Sequence, residues 1–164
     1  PGKAITWFTG QWAFNSLLLT LAVTPLKSWF GWKWLVVHRR MLGLFVMFYA
    51  TLHLLSYTIF LLAWEWGDIG SELIERPYLT LGFIAWLFLI PLAITSTKGW
   101  QRRLKRNWKS LHKLVYLITI LCAVHYLLQI RSNWFEPTLY ASVALLLLGQ
   151  RFSWKAFKGY FSHL

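Results

Sequence analysis

Long apolar runs separated by short polar connections dominate the chain. Four of them, Met41 to Ala63, Tyr78 to Thr97, Leu111 to Ile130 and Pro137 to Gly149, reach or approach the roughly twenty helical residues that cross a hydrocarbon core, the last being short. A fifth, Gly10 to Leu26, carries Gln11 and Asn15 but is otherwise apolar, and Pro25 is expected to end it because proline cannot continue a helix interior. The pattern predicts an all-α integral membrane protein, a bundle of five transmembrane helices with spans at about 10–26, 41–63, 78–97, 111–130 and 137–150. No repeat, low-complexity tract or second soluble domain is visible in it.

The connections divide sharply by charge. Lys27, Lys33, Arg39 and Arg40 fall between the first two runs, seven cations from Lys98 to Lys113 precede the fourth, and Arg151, Lys155 and Lys158 follow the fifth, with no acid among them. All five acids, Glu65, Asp68, Glu72, Glu75 and Glu136, lie in the alternate connections, with only Arg76, Arg131 and the N-terminal Lys3 as cations. Loops rich in Lys and Arg stay cytoplasmic, so the N-terminus is expected outside and the C-terminus inside. The basic faces are expected to touch anionic lipid headgroups.

Composition agrees. The residues are 57% hydrophobic and 13% charged, about half the charge of a soluble domain, and the net charge is +12. In a soluble protein that charge would suggest nucleic acid, but most of the twelve tryptophans gather at span ends, as interfacial belts do, rather than interleaving with one basic groove. A single cysteine, Cys122, excludes an intramolecular disulfide, a paired-cysteine redox motif and a thiolate-held iron–sulfur cluster. The chain opens at Pro1 with no signal peptide, and a further helix upstream is an expectation of this reading.

Ionisable side chains inside a span are costly and mark function by default. Only histidines qualify: His53 in the second helix, His112 and His125 in the fourth. At a rise of 1.5 Å per residue, His53 lies roughly 18 Å from the inner end of its helix and His125 roughly 21 Å from that of its own. Both helices run the same way, so the two imidazoles are expected at one depth in the outer half of the bilayer. Two such imidazoles on different helices suit the axial ligation of a b-type haem, which needs no covalent attachment motif. Small and aromatic neighbours flank them, among them Ala50, Ser56 and Tyr57 around His53 and Cys122 around His125. The alternative is an interhelical hydrogen-bonding role for each histidine in a small transporter or scaffold without haem.

His112, thirteen residues before His125, is a candidate ligand of a second, inner haem, with His38 as its possible partner; the alternative leaves both beside basic residues at the headgroups. His163 reads as solvated. Arg76 opens the third helix, ahead of Pro77 in its first turn, and either neutralises a haem propionate or pairs with Glu72 or Glu75 at the rim.

Taken in order, Arg39-Arg40-Met-Leu-Gly-Leu, Ala50-Thr-Leu-His53-Leu-Leu-Ser-Tyr57, Arg76-Pro-Tyr-Leu-Thr-Leu-Gly82, Thr95-Ser-Thr97, Leu111-His112 and His125-Tyr126 resemble the haem-binding membrane subunits of periplasmic methionine sulfoxide reductase systems. These belong to the ferric-reductase-like transmembrane superfamily, and the resemblance covers roughly residues 10 to 152. It implies haem b, one or two per chain, an association with FMN, and functional histidines at His53, His112 and His125. It further implies electrons drawn from quinone or a cytoplasmic flavin reductase and passed outward to a molybdopterin-dependent periplasmic subunit. Such proteins have six spans, so the first is expected to be missing here. The reading is therefore an electron-transfer subunit, with a ferric or other metal reductase as the alternative within the same fold. No dinucleotide fingerprint is present, which leaves any nicotinamide-dependent step to a partner.

Overall fold

The computed structural model describes residues 2–62, 67, 69–129 and 133–161, with side chains as far as Arg151. Pro1, Ala63, Glu65, Asp68, Ile130, Arg131 and His163, used above, lie outside the described residues, as do the side chains of Lys155 and Lys158. Among the described residues the regular structure is helical: α1 (Gly2–Phe30), α2 (Leu35–Phe60), α3 (Ile69–Glu75), α4 (Pro77–Ile94), α5 (Lys98–Leu104), α6 (Arg106–Leu111), α7 (Leu114–Gln129) and α8 (Phe135–Phe161).

Two hairpins organise the bundle. α1 packs along α2, α4 packs along α7, and α8 closes the group against α1 and α7. The first hairpin turns at Gly31, whose φ of +70° is a left-handed conformation that side chains with a Cβ avoid; its amide donates to the Lys27 carbonyl at 3.1 Å. A Cβ there would meet nothing within 4 Å, so Gly31→Ala should cost only the backbone term, about 1–2 kcal/mol, read as a lowered melting temperature in detergent. The second hairpin is joined on the basic side by α5 and α6. Thr97 begins α5 by accepting the Trp100 amide at 3.4 Å.

Pro25 does not end α1, contrary to the expectation from its missing amide; the helix runs on to Phe30. The proline leaves the Leu21 carbonyl without its helical donor, and Arg151 of α8 supplies one. Its Nη2 donates to the Leu21 carbonyl at 2.9 Å and to Thr24 Oγ1 at 3.0 Å, while Nη1 donates to the Tyr116 hydroxyl at 3.0 Å. The fourth apolar run also differs from one unbroken helix. His112 and Lys113 form a turn between α6 and α7, with the Lys113 amide bonded to the Ser110 carbonyl at 3.2 Å and the Tyr116 amide to the Lys113 carbonyl at 3.0 Å. These i→i+3 bonds are tighter than those of the α-helix on either side.

Leu17 and Leu21 of α1, Val46 of α2, Ala85 and Leu89 of α4, Ile118 and Thr119 of α7, and Ala144 and Leu148 of α8 are buried together between the helices. The outer surface is as apolar as the inside: Leu145 and Leu146 are 68% and 66% exposed, which fits lipid rather than water as the surrounding solvent. Three segments, Leu35–Phe60, Pro77–Ile94 and Arg106–Gln129, are long and apolar enough to cross a membrane.

Candidate haem site between the two hairpins

His53 comes from α2 and His125 from α7, one from each hairpin, and both rings are half-buried. The structure brings them together, their ring centres 6.2 Å apart and their planes at 81°. Equal depth in two helices running the same way is what the residue counting anticipated.

What holds each ring was not anticipated. His53 Nδ1 lies 2.8 Å from the Thr6 carbonyl of α1, and His125 Nδ1 lies 2.6 Å from the Tyr78 carbonyl of α4. A carbonyl only accepts, so in each ring Nδ1 carries the proton and Nε2 keeps its lone pair. Among the described residues Nε2 of neither ring has a hydrogen-bond partner. Scanning for ionisable side chains misses Thr6 and Tyr78 because their contribution is a backbone carbonyl, which every residue carries.

These residues fit an axially ligated haem. A metal–nitrogen bond of roughly 2 Å on each side, plus roughly 1 Å from donor nitrogen to ring centre, sets two axial imidazole centres roughly 6 Å apart. The observed 6.2 Å meets that requirement. Carbonyl-bonded Nδ1 is also the arrangement that orients a ligating histidine and raises its basicity. Two surface clefts, one along Ser142, Leu145 and Gly149 and one between Trp12 and Val143, lie on other faces and contain none of the histidines.

His112 is elsewhere. Its ring stacks on Trp108 with centres 4.0 Å apart, its Nδ1 lies 3.1 Å from the Trp108 carbonyl, and the Trp108 indole is itself tied to the Thr95 carbonyl at 2.8 Å. His38 is exposed and leans on Trp34. Among the described residues neither a hydrogen bond nor a ring contact joins His38 to His112.

On the acidic side Arg76 Nε meets Glu72 at 3.0 Å, the rim pairing that was one of its two readings. Glu72 also accepts from the Tyr57 hydroxyl at 3.3 Å. A hydrogen bond with Tyr78 and the Glu72 carboxylate hold the Arg76 guanidinium above its already high ordinary pKa, so it stays a cation throughout. Arg76 stands two residues before the carbonyl that anchors His125. A chain contact thus links the rim cation to the histidine site.

Facing imidazoles held inside paired apolar hairpins define a membrane protein of the ferric reductase class, and residues 9–123 match the family described as ferric reductase like transmembrane component. The chain is also 52% identical over 155 residues, 94% of its length and 71% of the relative's, to the protein-methionine-sulfoxide reductase heme-binding subunit MsrQ of Xanthomonas campestris pv. campestris. Against the subunit of the same name from Cronobacter sakazakii it is 45% identical over 153 residues, 93% of this chain and 76% of that one. The chain belongs to the MsrQ family. No solved structure matches it.

Proposed function

We propose that the chain holds a b-type haem between His53 and His125 and is the membrane electron-transfer subunit of a methionine sulfoxide reductase system. The observation that carries this reading is the facing pair of imidazoles, each with its Nδ1 occupied by a carbonyl and its Nε2 free. Haem bound there supplies one-electron chemistry. The chain's own residues bind it, fix the two rings, and surround them with apolar helices that exclude water. A haem held by His53 and His125 together would have no coordination position left for a substrate, which suits electron transfer rather than turnover.

In this reading five helices, α1, α2, α4, α7 and α8, cross the bacterial inner membrane with the N-terminus of the chain outside and its C-terminus in the cytoplasm. The donor is quinone or a cytoplasmic flavin reductase, FMN is an associated cofactor, and the acceptor is a periplasmic molybdopterin subunit of the MsrP type. The names of the MsrQ relatives support the methionine sulfoxide reductase assignment, and the division of acids and cations between alternate connections supports the orientation.

The test is a dithionite-reduced minus oxidised spectrum of the purified protein, with pyridine haemochrome counted per chain. A b-type spectrum is expected; a chain that stays colourless after haem reconstitution sinks the reading. The same count decides His112, since two haems per chain assign it to an inner haem and one leaves it stacked on Trp108. In this reading Arg76 also neutralises a propionate of the outer haem. Arg76→Gln is accordingly expected to lower the midpoint potential without changing haem content, because removing a nearby cation favours the more positive ferric state. An unchanged potential would return Arg76 to its ion pair with Glu72.

A further inference from the structure

The two histidine half-sites recur at one interval. His53 and His125 stand 72 positions apart, and so do the residues whose carbonyls hold them, Thr6 and Tyr78. In both halves the histidine is 47 positions beyond its carbonyl. The same offset of 72 joins Leu17 to Leu89 and Val46 to Ile118, all four buried in the core. In hairpins α1–α2 and α4–α7 alike, the first helix offers a carbonyl and the second a histidine.

One further pair keeps the offset, Gly10 and Gly82. A Cβ built on Gly10 would lie 2.8 Å from His53 Cε1 and 2.9 Å from its Nδ1. On Gly82 it would lie 3.0 Å from the same two atoms of His125. At Gly10 these distances are shorter than carbon contacts allow, and at Gly82 they are tight enough that the ring would have to give by a few tenths of an ångström, so each imidazole rests against bare helix backbone. Helix geometry explains why the glycine falls there. The carbonyl of residue i is the acceptor for the amide of residue i+4, and Gly10 and Gly82 are the i+4 residues of Thr6 and Tyr78. A ring can share a carbonyl already used by the helix only if it lies over that i+4 residue, where a Cβ would stand in its way. Glycine in mid-helix otherwise costs about 1 kcal/mol relative to alanine. Gly43 and Gly149, with nothing within 4 Å of a built Cβ, show no such contact.

We propose that Gly10 and Gly82 are positioning residues for the two haem ligands, acting through the histidines: they let each Nδ1 reach its carbonyl and so set the basicity and orientation of the axial imidazoles. This rests on the haem reading above. A methyl group at either position pushes the ring off its carbonyl. The weaker hydrogen bond makes the imidazole a poorer donor, which stabilises the ferric state less and raises the midpoint potential. Gly10 is the tighter of the two, so its substitution has the larger effect.

The experiment compares wild type, Gly10→Ala, Gly82→Ala, Gly43→Ala and Gly149→Ala as full chains. It reads haem per chain, midpoint potential by redox titration, and the low-temperature EPR signature of the ferric form. Gly10→Ala and Gly82→Ala are expected to raise the potential by at least about 30 mV, a threefold change in the reduced-to-oxidised ratio at 59 mV per tenfold, or to lose haem outright. The EPR signal should shift with the reoriented rings, and the two control variants should match wild type. Wild-type potential and EPR in both Gly10→Ala and Gly82→Ala, in chains that carry haem, would overturn this inference alone. A wild-type chain without haem would overturn the haem reading and this one with it. Should Gly10→Ala not yield a folded chain, the double variant His53→Ala with Gly10→Ala removes the ring that the methyl strikes and is expected to elute monodisperse and helical. Failure of that double variant to recover, where His53→Ala alone folds, overturns the proposal as well.

Discussion

Replacing either His53 or His125 by alanine is expected to remove the Soret contribution of the outer haem, leaving less than about a tenth of the wild-type occupancy of that site. Each imidazole is one of two axial donors, and each is already oriented by a carbonyl, so no neighbouring group can take its place. Tyr57 and Tyr126 lie within one turn of the two histidines, but their hydroxyls are committed to Glu72 and Glu136 at 3.3 and 3.4 Å. Free imidazole added to either variant should restore much of the spectrum, since the cavity left by the ring is the size of the reagent. Packing histidines would behave differently, with alanine lowering stability while haem content stays level. A full Soret band in His53→Ala and His125→Ala would therefore remove the bis-histidine assignment, whichever other ligands were then sought.

The second large effect concerns stability. Arg151→Ala deletes the donor for the Leu21 carbonyl that Pro25 leaves open, together with the bonds to Thr24 and Tyr116. Hydrogen bonds from a charged donor contribute about 1.5–3 kcal/mol each, and a carbonyl stranded in an apolar environment costs about as much again as a neutral bond is worth. With one of the three bonds exposed to the aqueous boundary, a net loss of about 2–4 kcal/mol is expected, read as a lower unfolding midpoint in detergent. The cause can be separated from simple packing by restoring the missing amide. In a Pro25→Ala background the helix itself satisfies the Leu21 carbonyl, so Arg151→Ala should cost about 1 kcal/mol less there than in wild type. Equal costs in the two backgrounds would show that Arg151 and Pro25 act independently.

Much of the site was legible in the chain. The histidines stood out because nothing else ionisable occupies the spans, and their common depth followed from counting residues at a fixed rise. That count does not depend on tertiary structure so long as both helices are regular up to the histidine, which held for His53 in α2 and nearly so for His125. At His112 the helix is interrupted by a turn between α6 and α7, which the run of Trp, Lys and Leu did not mark and which lies beside a tertiary bond from Trp108 to Thr95.

Pro25 illustrates the same limit. Reading a proline as a helix end is sound when the carbonyl it strands has only water to turn to. Here Arg151, 130 positions along from Leu21, reaches it, and helix continuation becomes the better outcome.

The sequence by itself determined that this is an apolar helical membrane protein and set the histidines apart as the ionisable side chains within its spans, because hydropathy and charge placement are properties of the chain taken locally. Only the tertiary structure decided that the two imidazoles face each other, which nitrogen each presents, and that Gly10 and Gly82 lie beneath them. Those facts depend on where a backbone carbonyl of one helix meets a side chain of another. Carbonyls are identical at every position, so the residue that carries one does not mark it as the one that will be used. The regular interval of 72 was present in the chain throughout, but only contact between the helices gives its members a common purpose.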